Sequence, residues 1–165
     1  MGHFRIGKLA TAIAAFLATA PFTTLSQELV TQKAMSFDMA QAIAQGALDK
    51  CRSNGYHVSI SVIDGSGVLK VFMRDDGSGL GSVDVSHRKA YTALVFKRTS
   101  AETAKIWALT SPVPIIEGTV ALGGGVPIKA GTDVIGAIGI SGAPSGDIEE
   151  VCANTGIAKV SNKLK

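Results

Sequence analysis

The sequence is poor in the side chains that read nucleic acids. Aromatic residues make up 5% of its 165 positions, one of them Trp, and no run of basic residues is interleaved with them. Neither a duplex groove nor a single strand is addressed by such a chain. No apolar stretch approaches the roughly twenty residues that a bilayer-spanning helix needs. Cysteine occurs twice, with no Cys-x-x-Cys and no Cys-x-x-Cys-His. Thioredoxin chemistry and zinc ribbons are thereby disfavoured, and any haem would be held without covalent attachment. Gly-x-x-x-x-Gly-Lys-Ser/Thr is absent too, which excludes a P-loop. Gly136, Gly139 and Gly142 recur every third residue inside a strand-like run, so they do not spell a dinucleotide fingerprint. Gly139-Ile140-Ser141-Gly142-Ala143 ends on Ala where a nucleophile elbow needs Gly. With no paired carboxylates and no nucleophile motif, no catalytic residue is assigned.

What is there begins with a leader. Met1–Lys8 carries Arg5 and Lys8, Leu9–Ala20 is apolar or small apart from Thr, and a more polar stretch follows, which are the three parts of a secretory signal peptide. Thr24-Leu25-Ser26 places small residues at suitable offsets, so segment 1–26 is expected to be removed and 27–165 to form one domain. Arg5 and Lys8 leave with the leader, lowering the net charge from +3 to +1. The expected location is periplasmic or secreted, where Cys51 and Cys152, one on the first and one on the last expected helix, form a candidate disulfide.

Ser36 reads as the N-cap of a helix carrying Phe37, Ala40, Ala44, Ala47, Leu48 and Cys51 at helical spacing, closed by Asn54-Gly55. Tyr56–Asp64 alternates Val58, Ile60 and Val62 with Ser59, Ser61 and Ile63, and Gly65-Ser66-Gly67 turns it into Val68–Met73 as a β-hairpin. The polar loop from Arg74 to Gly79 reads as solvated. Ser82–Arg98 is a second helix on which Val83, His87, Ala90 and Leu94 share a stripe, while Arg88 and Lys89 point elsewhere. His87 has two readings, a half-buried helix histidine with one satisfied nitrogen or a ligand or acid/base residue. Ser100–Leu109 is a shorter helix with Trp107, and Thr110–Gly118 is a loop. The stretch from Gly123 to Glu150 organises the rest: a Gly-rich turn, two strands joined by Ala130-Gly131-Thr132, a second Gly/Pro turn and a helix start, with Asp147 and Glu150 read as an acidic capping box. A Gly-rich run leading into a helix N-terminus can also hold an anion.

The motifs Arg88-Lys89-Ala90-Tyr91-Thr92-Ala93, Gly123-Gly124-Gly125-Val126-Pro127-Ile128 and Ile135-Gly136-Ala137-Ile138-Gly139-Ile140-Ser141-Gly142-Ala143-Pro144-Ser145-Gly146-Asp147, following a hairpin, resemble the GlcG/HbpS family, which includes the C-terminal domain of PduO-type proteins. The resemblance spans about Ser36 to Ala158. It implies a single α+β domain, an antiparallel sheet of about five strands with helices packed against it, in a homo-oligomer. It also implies binding of haem or a related tetrapyrrole, with a membrane sensor protein as a partner of one secreted member. Arg88, Lys89, Thr92, Gly124, Gly125 and Pro127 match the family motifs. For haem, His87 is the first axial-ligand and metal candidate and His57 the second, with Arg88, Lys89 or Arg98 as cations for the propionates. The alternative is an accessory factor or enzyme acting on a small anionic metabolite of a glycolate- or cobalamin-related pathway, with glycine turns holding the anion and His87 as base.

Overall fold

A computed structural model describes residues 1–2, 28–110 and 116–165. Two units divide the chain. The first, Met1–Thr31, carries no helix or strand in its described residues, and the expected leader lies outside them apart from Met1 and Gly2. The second, Gln32–Lys165, is the α+β domain. Its elements run α1 (Phe37–Ser53), β1 (Ser59–Asp64), β2 (Leu69–Arg74), α2 (Ser82–Phe96), α3 (Ser100–Ala108), β3 (Gly125–Ala130), β4 (Asp133–Ser141) and α4 (Gly146–Ala158). Four strands form the sheet among the described residues, one fewer than expected, in the order β2-β1-β4-β3 with every neighbouring pair antiparallel.

Helix ends follow local chemistry. Ser36 accepts a hydrogen bond from the Met39 amide at 3.2 Å and caps α1 as its sequence predicts. Lys97 takes a left-handed conformation and stops α2 at Phe96, two residues before the expected end. Thr99 and Glu102 then form a reciprocal capping box for α3. For α4 the N-cap is Ser145, accepting from the Ile148 amide, rather than Asp147. Ser145 wins because its backbone is still extended, whereas Asp147 is already in the helix and lends its charge to the positive end.

The two faces of the sheet differ in kind. One carries Val58, Ile60, Val62, Ile128, Ile138 and Ile140 into a core with Ile43, Ala44, Ala47 and Leu48 of α1 and Ala153 of α4. Cys51 and Cys152 are fully buried there and joined as a disulfide with Cα atoms 5.6 Å apart, within the reach that such a bond allows. The other face is Ser59, Ser61, Ala137 and Gly139, and α2 lies on it. Ser59 is hydrogen-bonded to Ser82 at 2.8 Å and Ser61 to Ser86 at 2.9 Å. A Cβ at Gly139 would collide with the Ser86 carbonyl, so the helix backbone presses on the strand where only glycine fits.

Candidate functional site

The serine pairs turn α2 round relative to its expected stripe. Its buried residues are Ser82, Ser86, Lys89, Ala90, Thr92 and Ala93, whereas Val83 is exposed and His87 and Leu94 are only partly covered. The sheet face beneath is small and hydroxylated, so hydroxyl pairs and close backbone contact replace the apolar burial that a stripe argument assumes. Lys89 therefore points inward, contrary to its expected direction.

Lys89 Nζ donates to Glu149 Oε2 at 2.5 Å, with the two side chains 6% and 2% exposed. The other carboxylate oxygen accepts from the amides of Gly142 and Ala143 at 3.0 and 3.2 Å. The anion held at the second glycine turn is thus the chain's own carboxylate. Burial pushes the Glu149 carboxyl up from its ordinary value, while Lys89 and the two amides pull the other way. The pair lies in the wall of a cleft of about 440 Å³ that Ser82, Val85, Leu122, Ser141 and the Gly142–Gly146 turn also line. Sequence reading missed Glu149, although it shares a helical stripe with Cys152, Ala153 and Gly156, all buried.

The remaining motif residues are spoken for within the chain. Thr92 Oγ1 donates to the Arg88 carbonyl and accepts from the Val120 amide at 2.9 Å, which anchors the segment leading into β3. A Cβ at Gly124 would meet Glu149 and the Ile140 carbonyl, and one at Gly125 the Lys89 carbonyl. Both are close-packing positions. Arg88 Nε bonds Asp84 at 2.7 Å on the exposed side of α2. Arg98 lies apart from the motif helix's buried side, lining a surface depression with Glu102, Lys105 and Ile106.

The two candidate histidines sit in different surroundings. His87 is half-buried and makes no hydrogen bond or ion pair among the described residues. It leaves α2 on the flank opposite Lys89, 200° away around the helix. Its neighbour Ser86 bonds Ser61, whose cross-strand partner is Phe72, so His87 and the partly exposed Phe72 stand at one level of the sheet. Val83, one turn before His87, is exposed as well. His57 is exposed, with Nδ1 3.2 Å from Asp75 Oδ2. Asp75 is itself buried, and its Oδ1 accepts from Arg52 at 2.6 Å. The Arg52 guanidinium holds its carboxyl down at about 2, helped by His57. The loop expected to be solvated thus carries a buried carboxylate, because Arg52 of α1 and His57 reach across to it.

An imidazole with no partner among the described residues is a group that can ligate haem iron, and Phe72 at its level and Val83 one turn before it leave apolar surface on the same flank. The flank they form is open to water. An antiparallel α+β sheet with one helix laid on a Ser/Gly face defines the class. The chain belongs to the family described as haem degrading protein HbpS-like, whose model matches residues 35–158. It is similar to Protein GlcG of Escherichia coli K12, at 30% identity over 117 residues, covering 67% of this chain and 84% of that protein. Among solved structures it is similar to a double mutant of Streptomyces reticuli HbpS, with 36% identity and a TM-score of 0.77 over 86% of this chain and 97% of the other. A complex of PduOC with haem matches at 25% identity and a TM-score of 0.69, over 77% and 95%.

Proposed function

We propose that this chain is an exported protein that binds haem or a related tetrapyrrole reversibly and without turnover, on the flank of α2 around His87. The observation that carries the reading is a half-buried imidazole with no partner among the described residues, level with an exposed Phe72. Membership of the HbpS-like family and the likeness to the haem complex of PduOC support the ligand class. Haem, when bound, would supply an iron that accepts a nitrogen lone pair. His87 would donate that lone pair, Phe72 and Val83 would offer apolar surface beside it, and Arg88 would supply a cation by giving up Asp84, a small loss because exposed pairs contribute little. His57, oriented by Asp75, is the second candidate ligand. The flank is open in one chain, and a second copy laid over it would shield a bound ligand from water, which is the reason to place the site in a homo-oligomer.

The tripartite leader and the buried disulfide support export, since such bonds persist in oxidising compartments. N-terminal sequencing of the exported fraction is expected to begin near Gln27, and a chain starting at Met1 contradicts this part. Hemin titration is expected to give a saturable Soret band that survives ascorbate and air. Loss of the band with formation of an open-chain tetrapyrrole contradicts binding without turnover.

A further inference from the structure

Outside that flank, the Lys89–Glu149 pair has chemistry that the haem reading does not use. An ammonium carries three donors, and among the described residues Lys89 uses one, to Glu149. The other two are nearly removed from bulk water and lie in the wall of the cleft of about 440 Å³. Buried donors call for an acceptor. A carboxylate ligand is opposed there by Glu149, whose charge the pair already holds, so a neutral carbonyl oxygen suits the cleft better. Glu149 Oε2, at 2.5 Å from Nζ, is also placed to take a proton from the amine, and burial favours its protonated form.

We propose that Lys89 is the reactive group of a second site, which takes a small carbonyl compound into this cleft and holds it as an imine. Lys89 passes a proton to Glu149, and the freed amine lone pair adds to the carbonyl carbon while the C=O π pair moves to oxygen, which gains that proton. The carbinolamine hydroxyl then leaves as water, taking a proton from the nitrogen through Glu149. The product is a protonated imine beside a Glu149 carboxylate, so the net charge is unchanged and nothing is oxidised or reduced. Ser141, buried in the lining, supplies a hydroxyl to the substrate's polar end.

The full chain is incubated with acetaldehyde, and separately with pyruvate, in the presence of cyanoborohydride, and peptide mapping locates the reduced adducts. Lys89 is expected to be modified ahead of exposed lysines such as Lys129 and Lys163, at least tenfold faster with acetaldehyde. Glu149→Gln is expected to slow that adduct at least tenfold, and Lys89→Arg to abolish it. Should either variant fail to fold, the wild-type map still decides. Adducts confined to exposed lysines, with Lys89 unmodified by both probes, overturn the proposal, and an unchanged rate in a folded Glu149→Gln overturns the role of Glu149.

Discussion

Asp75 carries the clearest charge-dependent contribution to stability. Its carboxyl is held at about 2 in the folded chain, below its ordinary 3.8, chiefly by the hydrogen bond from Arg52. A depressed carboxyl contributes stability that is present above the ordinary value and is lost as pH falls from about 4 towards about 2. Arg52 is half exposed, so water screens the pair and the contribution is about 1 kcal/mol rather than the full shift. Asp75→Asn is therefore expected to lower unfolding free energy by about 1 kcal/mol at neutral pH, with the gap narrowing as pH falls from about 4 towards about 2. Urea titrations of both proteins across that range check it, and a gap that stays constant with pH contradicts it. None of this is legible in the Arg74–Gly79 loop, since Arg52 and His57 come to Asp75 only through the fold. Glu149 is half legible, because its stripe marks it as buried while nothing nearby in sequence names Lys89 as its partner.

Helix α2 is the element on which a periodicity argument and the fold part company. Its existence, its start at Ser82 and its motif were all readable, and its orientation was not. The serines that decide it, Ser82 and Ser86 at i and i+4, match Ser59 and Ser61 at i and i+2 of β1. Matched hydroxyl pairs were a signal available in sequence, but a hydrophobic stripe gives them no weight. Glycine enforces the same closeness. A Cβ at Gly139 meets the Ser86 carbonyl and the Ala90 amide nitrogen, backbone atoms that cannot swing away. Gly139→Ala is expected to cost about 1–3 kcal/mol in urea unfolding, as overpacking does. Gly79→Ala, where an added Cβ meets nothing within 4 Å, is expected to stay within about 0.5 kcal/mol. Equal costs at the two positions contradict the packing argument.

At the scale of the molecule, the disulfide joins α1 to α4 across 101 residues of sequence and ties the two ends of the domain together. Closing a loop of that length removes entropy from the unfolded chain and contributes up to about 4–5 kcal/mol. Cys51→Ser with Cys152→Ser is expected to lower stability by about 2–5 kcal/mol, read as a lower urea midpoint that reducing agent no longer shifts. Reduction that leaves the wild-type midpoint unmoved contradicts it. The order of helices and strands and the cysteine pairing were legible because turns and caps are local signals and a single pair of cysteines is a compositional one. The pairing of Lys89 with Glu149 and the outward position of His87 were not, because both depend on how α2 is rotated against the sheet.

The proposed site rests on a histidine of the open α2 flank that ligates a tetrapyrrole. Its most direct test is a hemin titration followed at the Soret band for wild type, His87→Ala and His57→Ala, with circular dichroism to confirm that each is folded. Saturable binding is expected for wild type and His57→Ala with the same spectrum, and for His87→Ala a shifted band and affinity weakened at least tenfold. The same band and affinity in all three, or no saturable binding by the wild type, contradicts it.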